Sequence, residues 1–538
     1  MKIRLPDGIK IFTAVDSGID LPAGTFTYGD VELTVAEKAD RLSVSVRAEQ
    51  TPLLHMRFRW NFTDDEERLG VRVMGDSWAR SYADLEWRGD VPHRFMPWYM
   101  LVSNGSDLES DCSGRLTECF GVATSPAAFC SWQRDPRGVT LWMDVRSGGN
   151  GVILGGRTLK VCEIIMKDHR NVSAYTAGRA FCSEMCPSPL PLSHKVYGSN
   201  NWYYAVGQSS HGQILRDARL VSRLAEGITP RPYMVIDDGW QKNPCDGPWN
   251  SGNERFPDMA RLAAEIEECG AVPGIWIRFL YNSTLDGVTE DMCIEGRLGY
   301  LDPSVPEVIE HVRECIRRLR SWGYRLIKHD FSLFDSLGVY GHARGGYLAP
   351  NGWSFKDKSR TSAEIITGLY RAILEEAGEG TVIIACNTPS HLTAGLAHVM
   401  RTGFDTSGRY FERTRLCGVN TLAFRMMQNG TFYAVDADCC SHTGKIDWAL
   451  NAEWLRLLSE SGTPLFISTD PDKTTPVQEA DIRRAFRLNA CGEFDMRPLD
   501  WMDNQTPELF SVNGEVKRYR WYTEEGTHQF IPPTDPEY

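Results

Sequence analysis

Apolar and polar residues alternate along several short segments in the first part of the chain. The alternation is clear at 42–46 and 54–60, and two further apolar runs occupy 139–145 and 158–166, with turn-forming residues between them. A period of two over many short segments is typical of antiparallel sheets with one buried face. The pattern predicts an N-terminal antiparallel β-sandwich over residues 1–190.

The pattern changes after a Pro-rich polar segment, 187–195, that has the composition of a linker. Short apolar runs then alternate with amphipathic stretches at 214–227, 306–323 and 362–378. The apolar runs predict eight strands, at 196–204, 232–240, 272–279, 325–331, 381–387, 398–405, 431–439 and 463–468. Eight strand–helix units over about 280 residues match a (β/α)₈ barrel.

Three domains follow from these patterns. They are the β-sandwich (1–190), a (β/α)₈ TIM barrel (191–475) and a small C-terminal β-rich domain (476–538). The last domain is predicted from strand-like runs at 515–523 and 528–534.

Charged residues cluster where the predicted barrel strands end. Asp237 and Asp238 end the second strand, Lys328 and Asp330 the fourth, Arg401 and Asp405 the sixth, and Asp436 and Asp438 the seventh. Active sites of such barrels lie at this edge. The clustering therefore predicts a polar site built from several strands.

Asp330 and Asp405 are the best candidates for a catalytic pair. Hydrolysis of a glycosidic bond needs two carboxyl groups that flank the anomeric carbon, and these two come from strands two apart around the same barrel mouth. Lys328 lies two residues before Asp330, so strand alternation points both side chains inward. An ammonium group there would keep the carboxylate ionised, or the two would form a simple ion pair at the barrel rim.

Asp237 and Asp238 are adjacent and point in different directions. They could accept hydrogen bonds from sugar hydroxyls, bind a cation or cap the following loop. The residues alone leave these three roles open.

Composition narrows the function. Lys and Arg total 58 against 71 Asp and Glu, a net charge of −13, which argues against a nucleic-acid partner. No run of 18 apolar residues indicates a membrane span, and no secretory signal is evident, so we expect a cytoplasmic protein with reduced cysteines. The 16 Trp residues fit either a large β core or a surface that stacks on sugars.

Metal-dependent chemistry is not indicated. The 12 His residues form no HxH or HExxH motif. A metal-dependent barrel hydrolase would draw on His211, His329 and His442, which have no paired ligand at metal spacing. Alternation places His329 behind the strand, as a packed or hydrogen-bonded residue. No metal and no cofactor are therefore expected.

Seven motifs carry a resemblance to a known family. They are YMVIDDGWQ (233–241), GNERFPDM (252–259), GIWIR (274–278), LDPSVPEV (301–308), IKHDFS (327–332), RTGFDTS (401–407) and VDADC (435–439). In this order, on the predicted strands, they resemble the α-galactosidases of glycoside hydrolase family 36, the melibiase group. The resemblance covers most of residues 195–470.

The resemblance implies a retaining mechanism without metal or cofactor. Asp330 would be the nucleophile and Asp405 the general acid and base. Substrate would be held by Asp237, Asp238, Lys328, Arg401, Cys386, Trp202, Tyr203 and Trp276, with Asp436 and Asp438 as supports. The expected substrate is an oligosaccharide or glycoside with a terminal α-galactose, and a homo-oligomer is expected because members of the family are often oligomeric.

Three departures from the family pattern leave alternatives open. The fourth predicted strand reads KHDFS, where the family usually has an apolar aromatic residue before the Asp and an Asn soon after it. The fifth ends in ACNTPS, where the family has C-S-G-G. The third continues into Arg278, Phe279 and Leu280, where the family tends to have Glu-Pro-Glu. They bear on the sugar 2-substituent and the leaving group. The alternatives are an α-N-acetylgalactosaminidase, an α-galactosyl transglycosylase and a catalytically silent sugar-binding protein.

Overall fold

The computed structural model describes residues 3–16, 18–21, 24–63, 70–340 and 348–526. The described chain before residue 171 is built of strands: β1 (Gly8–Thr13), β2 (Ile19–Leu21), β3 (Thr25–Tyr28), β4 (Val31–Lys38), β5 (Arg41–Arg47), β6 (Leu53–Asn61), β7 (Arg72–Gly75), β8 (Met96–Pro97), β9 (Tyr99–Ser103), β10 (Leu116–Val122), β11 (Phe129–Asp135), β12 (Gly138–Asp144) and β13 (Thr158–Arg170).

These strands form two antiparallel sheets, ordered β2-β1-β6-β12-β11-β8 and β3-β4-β5-β13-β10-β9-β7. Side chains of the two sheets meet in a shared core: the rings of Phe120 and Trp132 lie 5.9 Å apart, and the Cys162 and Met143 sulfurs lie 3.6 Å apart. In β5 every second residue is buried, as the alternation predicts. The antiparallel sheets expected from the pattern are confirmed.

A helix, α1 (Ala174–Met185), follows the last of these strands and was not predicted. Ser173 begins it, because its hydroxyl accepts a hydrogen bond from the N–H of Thr176. The helix packs on β10 at Gly121, where a Cβ atom would lie 2.6 Å from the Met185 sulfur. After the helix, the predicted linker segment 187–195 contains neither helix nor strand.

The central part of the chain forms a parallel sheet. Its strands are β14 (Tyr197–Asn200), β15 (Tyr233–Ile236), β16 (Val272–Ile277), β19 (Leu326–His329), β20 (Val382–Ala385), β21 (Val399–Arg401), β22 (Ala434–Asp436), β23 (Cys440–His442) and β24 (Leu465–Thr469), with a separate hairpin of β17 (Cys293–Ile294) and β18 (Arg297–Leu301). The order is β22-β21-β20-β19-β16-β15-β14-β24-β23.

This sheet is strongly curled. Its two edge strands, β22 and β23, belong to one short stretch of chain, 434–442, which pairs with β21 on one side and with β24 on the other. Each of the eight predicted runs overlaps one of the parallel strands, and β23, which begins just after the seventh run ends, was not predicted. The parallel sheet predicted for this region is confirmed.

Helices follow the parallel strands along the chain: α2 (Trp202–Ala205), α3 (His211–Leu224), α4 (Met259–Glu268), α5 (Pro306–Ser321), α6 (Ser332–Leu337), α7 (Ser362–Ala377), α8 (Ser390–Thr393), α9 (Phe411–Arg413), α10 (Asn420–Arg425), α11 (Trp448–Glu460) and α12 (Pro476–Cys491). Short 3₁₀ turns occur at Glu290–Met292, Met426–Gln428 and Pro471–Lys473, and a π-helix at Thr414–Val419. The longer helices are amphipathic, as the 3.6-residue period predicts. No helix in the described ranges is both long and apolar enough to cross a membrane.

Strand alternation sorts the residues of β19 between two cores. Leu326 belongs to the small core enclosed by the sheet, whereas Ile327 packs in the larger core that includes the helices. Lys328 shares the inward face with Leu326 because side chains alternate along a strand. This alternation sets the position of the site residues that follow.

The last part of the chain differs from the prediction at its start. Residues 476–491 form helix α12, which packs on α11 and α3 of the helical layer. An antiparallel sheet of β25 (Met496–Pro498), β26 (Leu509–Val512) and β27 (Glu515–Arg518) follows. The strand predicted at 528–534 lies outside the described residues, and the domain boundaries at 190 and 475 stay predictions.

Candidate active site

A cavity of about 710 Å³ lies at the carboxyl edge of the parallel sheet. Nine of the ten predicted site residues line it: Trp202, Tyr203, Asp237, Asp238, Trp276, Lys328, Asp330, Arg401 and Asp405. The tenth, Cys386, is not among the lining residues. Arg80, Tyr82, Phe331, Tyr340 and Phe404 also line the cavity and were not predicted.

The carboxylate of Asp330, at the end of β19, is held by three electrically neutral donors. The indole Nε1 of Trp276 donates to Oδ2 (3.1 Å), and the amide Nδ2 of Asn387 donates to Oδ1 (2.6 Å). The backbone N–H of Phe331 also donates to Oδ1 (2.7 Å), and Phe331 adopts a left-handed φ of 62° at this turn. Donors from three segments therefore fix the direction of both carboxylate oxygens.

Charge keeps Asp330 ionised despite its burial, with 8% of the residue exposed. Burial acts to raise its pKa, but the positive charges of Arg80 and Lys328 outweigh it and hold the pKa below the ordinary value. An ionised, fixed carboxylate is the form in which a nucleophile reacts.

The carboxylate of Asp405, after β21, is held by two charged donors. Arg80 Nη1 and Arg401 Nη2 both donate to Oδ1, at 2.7 and 2.8 Å. Within the described residues no donor reaches Oδ2, and 23% of the side chain is exposed. Burial acts to raise the pKa, but the two guanidinium groups outweigh it and lower the pKa to about 2.

Lys328 forms its ion pair with Asp237, and not with Asp330 as one sequence hypothesis had it. The Nζ–Oδ2 distance is 2.8 Å, and Asn200 Nδ2 donates to the same oxygen at 2.6 Å. Burial acts to lower the pKa of Lys328, but Asp237 beside it raises the pKa well above the ordinary value. Lys328 is therefore a permanent cation on the cavity wall.

Asp238 holds the loop that follows β15. Its Oδ1 accepts hydrogen bonds from the side-chain amide of Gln241 and from the backbone N–H of Cys245, the latter at 2.8 Å. Burial raises the pKa of Asp238, with Asp237 adding to the effect. Holding the loop is one of the three roles that the sequence left open, and the side chain also lines the cavity.

Asp438 holds Arg401 in place. Its Oδ2 accepts hydrogen bonds from Arg401 Nη2, from the Tyr203 hydroxyl and from the backbone N–H of Thr406, the last at 2.8 Å. Asp438 itself has a left-handed φ of 83°. The guanidinium of Arg401 thus bridges Asp438 and Asp405.

Arg80 reaches the cavity from the antiparallel part of the chain. The N–H of Ser81 donates to the Thr402 carbonyl (2.9 Å), and the N–H of Phe404 donates to the Ser81 carbonyl (2.8 Å). The ring of Tyr82 stacks on Phe404, with centroids 4.5 Å apart. This contact fixes Arg80, 4% exposed, beside a carboxylate 325 residues further along the chain.

The segment ACNTPS after β20, which departs from the family motif, places Asn387 against the candidate nucleophile Asp330. Cys386, 1% exposed, lies behind the cavity wall, with its sulfur 3.9 Å from Arg80 Nη1. Asn387 adopts a left-handed φ of 51° and directs its amide to Asp330. The left-handed backbone at Asn387 thus directs a hydrogen-bond donor to the carboxylate of Asp330.

Arg278, which follows β16 at the third departure from the family pattern, supports the turn after Asp330. Arg278 forms a buried ion pair with Asp335, Nη2 to Oδ1 2.5 Å, and its guanidinium lies 4.6 Å from the centroid of the Phe331 ring. No role was predicted for Arg278. Its contacts fasten strand β16 to helix α6.

His329 lies on the opposite face of β19, as alternation predicts. Its ring packs between those of Phe279 and Tyr370, at 6.1 and 5.7 Å. Burial lowers its pKa to about 4, so it is neutral at neutral pH. In the described part of the chain, no three His, Cys, Asp or Glu side chains are grouped as metal ligands.

The cavity thus presents two carboxylates in different environments. One is fixed and ionised, and the other has an oxygen free of hydrogen bonds from the described residues. Such a pair can carry out displacement at an acetal carbon, in which one group attacks and the other transfers a proton. The surrounding polar and aromatic side chains provide the hydrogen bonds and ring faces that a sugar requires.

No family model matches the sequence. Among solved structures, TtGalA, an α-galactosidase from Thermus thermophilus in complex with p-nitrophenyl α-D-galactopyranoside, is similar, with a TM-score of 0.62, 17% identity, and 91% of this chain and 97% of that chain covered. The GH36 α-galactosidase AgaA from Geobacillus stearothermophilus is also similar, with a TM-score of 0.59 and 13% identity. The match covers 92% of this chain and 77% of that chain. The chain therefore has the fold of these α-galactosidases, in agreement with its motifs.

Proposed function

We propose that this protein is a retaining α-glycosidase that hydrolyses terminal α-galactosides, with Asp330 as the nucleophile and Asp405 as the general acid and base. The observation that carries the proposal is that both carboxylates line one cavity, at the carboxyl edge of a sheet whose fold is that of known α-galactosidases. The seven sequence motifs support the same choice of residues.

The first step forms a glycosyl-enzyme. Asp330 attacks the anomeric carbon from the face opposite the leaving group, and the bond to the leaving oxygen breaks. Asp405 gives that oxygen a proton. An α-linked substrate becomes a β-linked ester of Asp330, which fits a carboxylate that neutral donors fix in one direction.

The second step returns Asp330 to its free form. Asp405, now ionised, takes a proton from water, and the water oxygen attacks the anomeric carbon as the ester bond breaks. The product is an α-sugar, so configuration is retained. The two guanidinium groups favour the ionised form of Asp405 that this step needs.

In the first step Asp405 must be protonated, and the positive charges of Arg80 and Arg401 oppose this because they lower its pKa. Both donate to Oδ1, so the transferred proton is carried by Oδ2. Leaving groups that are stable as anions need little proton transfer. We therefore expect aryl galactosides to be cleaved faster than alkyl galactosides.

Sugar recognition falls to the remaining predicted residues. Asp237, Asp238, Lys328 and Arg401 would bond ring hydroxyls, and Trp202, Tyr203 and Trp276 would give the sugar its aromatic walls. Cys386, behind the wall, would act by packing. TtGalA has been solved with p-nitrophenyl α-D-galactopyranoside and with stachyose, and we propose oligosaccharides of this kind as substrates here.

A panel of p-nitrophenyl glycosides tests the proposal. The purified protein should hydrolyse the α-galactoside faster than the β-galactoside and the α-N-acetylgalactosaminide, and proton NMR should detect α-galactose as the first product. If the α-N-acetylgalactosaminide is hydrolysed fastest, Asp330 and Asp405 keep their proposed roles and the sugar that the site recognises is N-acetylgalactosamine. A first product of β configuration, or no turnover of any glycoside by folded protein, would contradict the proposal.

A further inference from the structure

A second, smaller cavity adjoins the candidate active site. Its volume is about 130 Å³, and it shares Trp202 and Tyr203 with the larger cavity. Its remaining wall includes Arg409, Lys445 and Lys473. These three residues follow β21, β23 and β24, so they lie at the same carboxyl edge of the parallel sheet as the catalytic carboxylates.

The small cavity is positively charged in an acidic protein. Three cationic side chains line it and no Asp or Glu does, although the chain carries a net charge of −13. The larger cavity, by contrast, is lined by five aspartates. The three cations are exposed, so their mutual repulsion in water is weak, but together they form a site that attracts an anion.

The cations are poorly neutralised by their neighbours. Within the described ranges, neither Arg409 nor Lys445 forms a side-chain hydrogen bond or an ion pair, and Lys473 lies 3.2 Å from Asp470. Two acids line the next cavity along the surface. Of these, Glu412 is bonded to Arg415 and Asp447 accepts from the N–H of Ala449 at the start of α11.

Hydrogen bonds between the cation-bearing loops hold the cavity in shape. The Thr443 hydroxyl donates to the carbonyl of Gly408, beside Arg409. His442 Nε2 donates to the carbonyl of Lys473 at 3.4 Å. The loop containing Trp202 is fixed in turn, because the N–H of Tyr203 donates to the Ser468 hydroxyl at 3.0 Å.

We infer that the small cavity is a binding site for an anionic group, a phosphate, sulfate or carboxylate, on the part of the substrate that departs from the galactose. Trp202 and Tyr203 form the wall between the two cavities, so a leaving sugar can stack there and direct its anionic group to the three cations. The inference rests on the proposed function and adds the substrate class.

A turnover experiment uses two matched substrates, p-nitrophenyl α-galactoside and its 3-carboxy-4-nitrophenyl analogue. The readout is the ratio of their kcat/KM values. Wild type should favour the carboxylated substrate about tenfold at low salt, and the preference should shrink at high salt because exposed charges are screened. The triple variant Arg409→Gln, Lys445→Gln, Lys473→Gln should lose the preference.

A second triple variant controls for net charge. Lys38→Gln, Arg137→Gln and Lys160→Gln remove three exposed cations, two from antiparallel strands and one from the turn between β11 and β12. This variant should keep the wild-type ratio. If both triple variants lose the preference equally, the effect comes from overall charge, and the small cavity is not the site.

A binding experiment does not depend on turnover. Calorimetry should show that wild type binds glucose 6-phosphate, glucose 6-sulfate and glucuronate about tenfold more tightly than glucose, with the three arms ranking the anionic groups. The variant lacking Arg409, Lys445 and Lys473 should bind all four alike. Equal affinities in wild type would overturn the inference, whether or not the protein hydrolyses galactosides. Absent hydrolysis with intact anion binding would count against the proposed function alone.

Discussion

Asp330 and Asp405 face the same cavity but are held by different kinds of donors. Neutral groups hold Asp330, an indole, an amide and a backbone N–H, all from the region of the parallel sheet. Two guanidinium groups hold Asp405, and one of them, Arg80, comes from the antiparallel part. Neutral donors fix direction, whereas full charges chiefly set the protonation state.

This difference matches the two roles proposed for the carboxylates. A nucleophile must stay ionised and point at one carbon, so neutral bonds to both oxygens suit Asp330. An acid and base must change its protonation state in every turnover, and Asp405 keeps one oxygen clear of the described donors. The predictions below test this division of roles.

The largest effect is expected for Asp330→Ala. Without the nucleophile no glycosyl-enzyme forms, and kcat/KM for p-nitrophenyl α-galactoside should fall by about 10⁴-fold or more. Steady-state kinetics measure it. Asp286→Asn, an exposed carboxyl in the loop after β16, is the control and should retain activity. More than a tenth of wild-type activity in the alanine variant would exclude Asp330 as nucleophile.

The next effect is expected for Asp405→Ala, and it should depend on the leaving group. Loss of the acid should cost about 10³-fold for methyl α-galactoside, whose alkoxide needs a proton, and much less in the first step for 2,4-dinitrophenyl α-galactoside. Pre-steady-state kinetics separate the two steps. An equal loss for both substrates would contradict an acid role for Asp405.

A smaller effect is expected for Asn387→Ala. Removing one neutral donor to a buried carboxylate should lower kcat/KM by roughly tenfold to a hundredfold. It should also raise the pKa of Asp330, so the acid limb of the pH profile moves to higher pH while the alkaline limb stays in place. Asn387→Asp, which puts a negative charge there, should be worse. If the alkaline limb moved instead, Asn387 would act on the general acid and not on the nucleophile, which would contradict the roles proposed for the two carboxylates.

The smallest effect is expected for Arg80→Gln. Arg80 lowers the pKa of both carboxylates, so its removal should raise both and move both limbs upward by about one pH unit. Arg80→Lys, which keeps the charge, should restore much of the wild-type profile. A uniform loss of activity with unmoved limbs would mean that Arg80 acts only by packing against Phe404.

Much of the fold was accessible from the sequence because burial imposes a period. The alternation in β5 reflects one packed face, whereas the apolar runs of the parallel strands reflect burial on both faces of the sheet. The predicted first strand, 196–204, gives way to helix α2 at Trp202. Two further helices, α12 and α1, were missed although each has a local signal. Thr475 and Gln478 form a capping box with Pro476 at the first turn of α12, and Ser173 caps α1. These caps are short motifs that a search for periodicity passes over.

The site was predicted where strand ends determine it and missed where packing between distant segments does. Nine predicted residues line the cavity because parallel strands bring their carboxyl ends together. Arg80 lies in no periodic segment, and the contacts of its neighbours Ser81 and Tyr82 with residues 402–404 place it there. The partner of Lys328 could not be read either, because inward-pointing acids from two strands were both within reach of its long side chain.

The most direct test of the central claim is to trap the glycosyl-enzyme. Wild-type protein would be incubated with 5-fluoro-α-D-galactosyl fluoride, whose ring fluorine slows the second step, digested, and mapped by tandem mass spectrometry. The account predicts one added fluorogalactosyl group, esterified to Asp330 in the peptide containing IKHDFS. A label on Asp405 or on any other carboxylate, or free fluorogalactose released with no labelled peptide, would contradict it.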